Sequence, residues 1–380
     1  MPGPPCVVFY ISGHGFGHAS REVEVINTLG AQRPDLTIVL RTAVSEALLS
    51  RTLRTPVVRL EGACDTGVIQ RDSVTHDDEA TVREAVAFQK TMAERVEVEV
   101  TRLQPFDVRA IVADVPPMAF DVAARLERPS IALANFTWDW IYEWYVEPLR
   151  DAPTLLEDIR RSYRRATHAL ELPLSGGFEV FPSVTPIPFI ARHSTRTRTE
   201  ARALLGLEPE RPVALLSFGG YGLQRLAIDS LDCLDEWTLL LTDRITSLGA
   251  HPPEQVRLIP ESAFESGLRY EDLVAAADVV VTKPGYGIIS ECVAHDTAML
   301  YTSRGHFREY DRMVEEMPRL LRCRFIEQSD LFAGRWNDAL RALMLQSPVT
   351  QPLATDGADH AAAFIQDAVD RCSARASTGD

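Results

Sequence analysis

The sequence predicts an α/β protein made of two doubly wound, parallel-sheet domains. Three observations predict this. Short apolar runs alternate with amphipathic segments through the first half, a stretch rich in proline and glycine interrupts them, and the same alternation then restarts. Strands separated by helices at this spacing imply a parallel sheet covered on both faces. A length of 380 residues suits two ordinary domains, each with its own core.

In chain order, "CVVFYIS" reads as a buried strand and "ASREVEVINTLGAQ" as the helix after it. "LTIVLRT" and "PVVRL" follow as strands with a helix between them, then a long helix at about Thr81–Gln104. "VRAIVAD", a helix and "RPSIALAN" complete the first half. "ELPLSGGFEVFPSVTPIPFIARHS" has no helical period and reads as the crossing between domains. The second set of strands is "RPVALLSFGGYG", "EWTLLLTDR", "QVRLIP", "AADVVVTKPG" and "TAMLYTS", and an amphipathic helix near Asp356–Arg371 closes the chain. The expected domains are residues 1–180 and 188–350, with a helix and tail at 351–380 packing back towards the first. Two such halves imply a cleft between them, where ligands of this kind of fold usually bind.

Composition narrows the function. Apolar residues make up 46% and charged residues 24%, as in globular proteins, and the formal net charge is -15. An acidic surface is repelled by nucleic-acid backbones and anionic membranes, so neither is expected as a partner. The N-terminus, "MPGPPCVVFYIS", lacks the cationic region of a signal peptide, and no run approaches the roughly 20 apolar residues of a membrane span. Cys6, Cys64, Cys233, Cys292, Cys323 and Cys372 are scattered and read as small buried residues of a reducing compartment, so a cytoplasmic location is expected.

Three glycine-rich turns each follow a strand and open a helix. In "SGHGFGHAS" the glycines are Gly13, Gly15 and Gly17, and His18 stands where a dinucleotide fingerprint needs glycine. The next strand also ends without the acid that holds a nicotinamide ribose. A histidine at this edge can serve as a general base. Asp114 ends another strand of the same half and could orient that histidine, or it could cap the helix ahead of Pro116. In "LLSFGGYGL", Ser217, Gly219, Gly220, Tyr221 and Gly222 form a turn suited to an anion, and no Walker lysine follows. In "VVVTKPGYGIISE", Lys283, Pro284, Gly285, Tyr286 and Gly287 lead into a helix that carries Glu291. A lysine at a helix N-terminus suits a diphosphate, and a carboxylate suits a pair of ribose hydroxyls.

These motifs resemble the GT-B glycosyltransferases. "GHGFGH" occupies the place of the histidine-ending loop in the N-acetylglucosaminyltransferase that forms lipid II. "KPGYGIISE" resembles the donor signature shared by that enzyme and plant UDP-sugar transferases. "YISGHGFGHASR", "CDTGVIQRDSVTHD", "NFTWDWIYEWY", "KPGYGIISE" and "RGHFREYDRM" are most similar to the glycosyltransferase-like domain that precedes the kinase in L-arabinokinase and its bacterial relatives. That resemblance spans residues 7 to about 345 and excludes the kinase half, so no phosphorylation of arabinose is implied. It implies two Rossmann-like domains facing across a cleft, with the first binding the acceptor and the second the nucleotide sugar. It makes His18 and Asp114 the catalytic candidates. Donor candidates are Gly17, Ser217, Gly219, Gly220, Tyr221, Gly222, Pro260, Lys283, Pro284, Gly285, Tyr286, Gly287, Glu291 and Glu309. Where the plant enzymes carry a phosphate-binding serine this chain has Ile288, and their acid-glutamine pair stands here as Glu309-Tyr310.

The acceptor candidates are His14, Phe16, Asp65, Gln70, Asp72, Trp138, Asp139 and Tyr142. Trp138, Trp140, Tyr142, Trp144 and Tyr145 form either a stacking platform or core packing, because aromatics at helical spacing serve both. His76, Asp77 and Asp78 read as solvated rather than metal-ligating, and no D-x-D motif is present, so neither a metal nor another cofactor is expected. The sequence therefore predicts a transferase that moves a sugar from a nucleoside diphosphate sugar, a UDP-sugar, to a small molecule with inversion. A nucleotide-sugar epimerase and a non-catalytic sugar-nucleotide sensor are the rival readings.

Overall fold

The computed structural model describes residues 4–14, 16–70, 76–218, 235–242, 254–304, 307–351 and 353–378. They divide into two compact units, one of Met1–Gln70, His76–Ile190 and Asp356–Asp380, the other containing Ala191–Thr355.

The first unit is built on a seven-stranded sheet of β1 (Pro5–Ile11), β2 (Thr37–Thr42), β3 (Val58–Glu61), β4 (Asp107–Asp114), β5 (Ser130–Phe136), β6 (His168–Gly176) and β7 (Val184–Pro186). All neighbours are parallel, in the order β3-β2-β1-β4-β5-β6-β7. Cys6 to Ile11 are wholly buried, as expected of a central strand covered on both faces. The order reverses between β1 and β4, so their carboxyl ends open a crevice. Ile11 pairs with Asp114 there, and the Ser12 amide donates to the Asp114 carbonyl at 2.8 Å. The helix Phe16–Gln32 buries Glu22, Val25, Ile26 and Leu29, a stripe of 3.6-residue period. The helix Gly357–Thr378 packs against it and β4 through Ala361, Ala362 and Ile365.

Two stretches differ from the sequence expectation. The helix expected at about Thr81–Gln104 is two helices, Asp78–Lys90 and Met92–Leu103. Thr91 between them leaves helical geometry (φ -107°, ψ 11°), and its hydroxyl donates to the Phe88 carbonyl. The stretch expected as a bare crossing contains most of β6 and all of β7. Its prolines obscured the strands. Pro173 falls where the β5–β6 register shifts, and Pro186 ends an edge strand, both places where a missing N–H is tolerated.

The second unit has a six-stranded parallel sheet of β8 (Val213–Ser217), β9 (Thr238–Thr242), β10 (Val256–Ile259), β11 (Val279–Thr282), β12 (Ala298–Tyr301) and β13 (Cys323–Phe325). Its order is β10-β9-β8-β11-β12-β13, which repeats the reversal of the first sheet between β8 and β11. Every residue of β11 and β12 is buried, so they read as apolar runs rather than alternations. Trp336 and Leu340 pack on this sheet against Leu300 and Ile326. Among the described residues, no helix is long and apolar enough to cross a membrane, and no group of acidic, histidine or cysteine side chains is arranged to hold a metal.

Candidate active site

In the first unit, the reversal point positions a buried ionic cluster. His18 and Arg21 lie three residues apart on the helix after β1, so both face the end of β4. His18 Nδ1 lies 2.8 Å from Asp114 Oδ1. Arg21 grips the same carboxylate with both ends of its fork, Nε to Oδ2 at 2.5 Å and Nη2 to Oδ1 at 2.6 Å. Its Nη1 donates to Asn135 Oδ1 on β5 at 2.5 Å. Asp114 is wholly buried and His18 is 6% exposed. Burial alone would raise the Asp114 carboxyl, but the Arg21 guanidinium and the contact with His18 outweigh it and hold the group down at about 2.

Both Asp114 Oδ1 (2.8 Å) and Arg21 Nη2 (3.1 Å) approach His18 Nδ1. A carboxylate only accepts and a guanidinium only donates, so they ask for opposite tautomers. The shorter, charge-assisted contact decides for the proton on Nδ1. Nε2 then carries the lone pair, which is the state a general base requires.

A second carboxylate stands beside this cluster. Asp65 follows β3, and its oxygens accept one bond each, from Ser12 Oγ at 3.1 Å and Trp138 Nε1 at 2.8 Å. The Trp138 ring lies 5.9 Å from the His18 ring and 5.8 Å from that of His14. Burial pushes the Asp65 carboxyl up to about 6, against the lowering effect of those two hydrogen bonds. Gln70 Nε2 approaches His14 Nε2 at 3.4 Å. Gly67 takes φ +58°, and a Cβ there would strike the His14 side chain at 2.6 Å, so glycine is what lets this loop close on the histidine.

The aromatic run resolves largely to packing. Trp138 is 1% and Tyr142 2% exposed, and their rings stack on each other at 5.7 Å. The Tyr142 hydroxyl donates to the Gly67 carbonyl at 2.8 Å. Edges of both rings, with Asp65, line a cavity of about 20 Å³, roughly the room one water needs. No open stacking platform exists at these two rings. Asp139 is buried as well, and its carboxylate accepts from Arg160 Nε at 2.8 Å. Asp77 caps the helix Asp78–Lys90 by accepting from the Ala80 amide. Gly17 lies in the first turn of the helix before His18, and a Cβ there would meet nothing within 4 Å. Phe16 begins the same helix; its side chain, like Asp72, lies outside the described residues.

In the second unit, Ser217 ends β8 opposite Thr282, and Lys283 follows directly. Tyr270 donates to Ser217 Oγ at 2.6 Å, and Thr282 Oγ1 donates to the Ser217 carbonyl. Pro284 is buried and Lys283 half-buried. Gly285 caps the helix Tyr286–Ala294, and a Cβ at Gly287 in its first turn would meet open space. Glu291 lies in that helix, 3% exposed, and forms an ion pair with Arg192, whose Nε and Nη2 lie 2.7 and 2.5 Å from Oε1. Arg192 sits over the Tyr270 ring at 5.6 Å. Glu309 is also buried and accepts from Arg304 Nη1 at 3.1 Å, while the same nitrogen approaches the Pro284 carbonyl at 3.4 Å. Pro260 is exposed, at the start of the short helix Glu261–Glu265. Gly219, Gly220, Tyr221 and Gly222 lie outside the described residues.

Sequence reasoning missed the arginines. Arg21, Arg192 and Arg304 each hold one of the carboxylates it selected. Only Arg21 carried a signal, its three-residue offset from His18. Arg192 is distant in sequence from Glu291, and nothing in the linear pattern joins them.

Two parallel sheets, each with this reversal of strand order, are the fold of the GT-B glycosyltransferases, and solved structures agree. Phytolacca americana UGT2, complexed with UDP-2fluoro-glucose and pterostilbene, is 14% identical, covers 97% of this chain and 94% of its own, and has a TM-score of 0.59. The calicheamicin glycosyltransferase CalG4 is 14% identical, with 98% and 97% covered and a TM-score of 0.59. A UDP-glucose: anthocyanidin 3-O-glucosyltransferase in complex with UDP is 13% identical, with 97% and 95% covered and a TM-score of 0.58. At these identities the likeness establishes the fold. More similar in sequence is the L-arabinokinase of Arabidopsis thaliana, 27% identical over 367 residues, which are 94% of this chain. This chain spans about a third of that relative, 34% of its length. No family model matches the chain.

Proposed function

We propose that this chain transfers a sugar from a UDP-sugar to a small-molecule acceptor. The observation that carries the reading is the His18–Asp114 pair at 2.8 Å at the reversal point of the first sheet. In this reading His18 Nε2 removes the proton from the acceptor nucleophile as that atom attacks the anomeric carbon. Asp114 acts through the histidine, fixing its tautomer and stabilising the imidazolium, and Arg21 keeps Asp114 ionised and in place. The bond from the anomeric carbon to the diphosphate breaks as the new glycosidic bond forms. The negative charge passes to the diphosphate, where Lys283 and the helix N-terminus at Gly285 stabilise it. Glu291 receives ribose hydroxyls, with Arg192 holding its carboxylate in position. With His18 as the single base, direct displacement with inversion is the simpler course.

The likeness to structures that hold UDP or a UDP-sugar analogue supports the choice of donor. The test is incubation with a panel of nucleotide sugars and hydroxylated acceptors, reading UDP release and the glycosylated product. Stoichiometric UDP and glycoside support transfer. An epimerised nucleotide sugar, or binding with no turnover across the panel, contradicts it.

A further inference from the structure

Among the carboxylates of the candidate site, Asp65 differs from its neighbours in one respect. Asp114 is held by Arg21, Asp139 by Arg160, Glu291 by Arg192 and Glu309 by Arg304. Among the described residues, no cation pairs with Asp65. Its two donors, a serine hydroxyl and an indole N–H, are neutral and occupy one position on each oxygen. A carboxylate offers about four lone-pair positions, so roughly two remain. The group is partly open, and it borders a cavity also lined by Thr66, Phe88, Gln89, Met92 and Ile159. A carboxylate without an ion-pair partner in such surroundings is costly unless another donor meets it.

Its position gives that donor a meaning. Ser12, which donates to Asp65, ends β1 just before the loop that carries His14 and His18. Trp138, the other donor, lies against both histidine rings. We infer that Asp65 is a specificity-determining residue, whose carboxylate receives a second hydrogen-bond donor of the acceptor, a hydroxyl or protonated amine adjacent to the group that His18 deprotonates. The acceptor is then bifunctional, a vicinal diol or amino alcohol rather than a lone hydroxyl on an apolar ring. The inference rests on the proposed transferase reading and narrows its acceptor.

Trp138 supplies a reporter, because its indole N–H is bonded to the carboxylate in question. The probes are cyclohexanol, trans-1,2-cyclohexanediol and trans-2-aminocyclohexanol, titrated into the full chain while the indole ¹H–¹⁵N resonance of Trp138, assigned by its loss in Trp138→Phe, is followed. The diol and amino alcohol should shift it with affinities about tenfold or more above cyclohexanol, the size of a hydrogen bond to a charged group. Asp65→Asn should remove that preference. Stronger binding of the amino alcohol than the diol identifies an ammonium; equal binding identifies a hydroxyl. No shift with any probe, or equal affinity for all three in the wild type, overturns the inference without needing a variant to fold. UDP release separates the two levels. A selective indole response without sugar transfer keeps Asp65 as the residue that recognises a diol or amino alcohol and refutes the transferase reading, whereas transfer with equal affinities does the reverse.

Discussion

His18, Asp114 and Arg21 share one small buried volume, and their charges decide its behaviour. An arginine fork on both oxygens keeps Asp114 ionised although the carboxylate is wholly buried. A carboxyl held at about 2 contributes stability that is complete above the unfolded value near 4 and is lost as pH falls towards 2. Asp114→Asn should therefore melt well below the wild type at pH 7, because Arg21 is left buried without its carboxylate, a loss of about 3–5 kcal/mol. The gap should narrow between pH 4 and 2 as the wild type loses what the variant already lacks. Thermal melts across that range check it; a constant gap would mean that Asp114 does not titrate there.

Glu22 gives the opposite sign. It is wholly buried on the same helix, and among the described residues neither carboxyl oxygen has a hydrogen-bond partner. Burial, with the nearby charge of Asp114, pushes its carboxyl well up despite Arg21. A raised carboxyl makes the protein less stable as pH climbs above the ordinary range near 4.5, where the unfolded chain ionises and the folded one resists. Glu22→Met should then raise the melting temperature, and by more at pH 8 than at pH 5. Equal shifts at the two values would show that Glu22 ionises normally in the folded state.

At the scale of elements, the candidate residues concentrate where strands end and helices begin. The end of β11 and the helix Tyr286–Ala294 place Lys283 just before the N-terminus of that helix. Lys283→Ala should weaken UDP binding by about tenfold or more and uridine binding hardly at all, since the lysine addresses charge. Calorimetric titration of both ligands checks this, and equal losses would remove the lysine from the phosphate.

These turns were legible in the sequence because a glycine-rich junction of strand and helix is a local pattern. So was the approach of Asp114 to His18, since two adjacent parallel strands end at the same edge. The arginine partners and the burial of Trp138, Tyr142 and Asp139 were not legible, because they depend on side chains that meet only after the sheet and its helices have packed. The strands β6 and β7 were hidden for a similar reason. Their prolines weigh against strand by local rule, and only the edge position and the register shift make them acceptable.

At the scale of the molecule, both units repeat one topology with the reversal at the same place. The repeated alternation of strands and helices made that architecture readable. The return of the last helix to the first unit, against the helix Phe16–Gln32, is a long-range contact for which the sequence offers only amphipathicity. The division of labour follows from the two reversal points. In the proposed reading the base stands at one, and the turn for the diphosphate at the other.

The central claim is that His18 is the base of a sugar transfer. It is tested by the single-turnover rate with saturating donor and acceptor for wild type, His18→Ala and His14→Ala. His18→Ala should be slowed by about 10²–10⁴-fold, the usual cost of a lost general base, with UDP affinity nearly unchanged. His14→Ala, which loses an edge contact to Trp138 and its approach to Gln70, should be slowed less. If His14→Ala is the slower of the two, or if His18→Ala turns over at the wild-type rate, the base is not His18 and the account is contradicted.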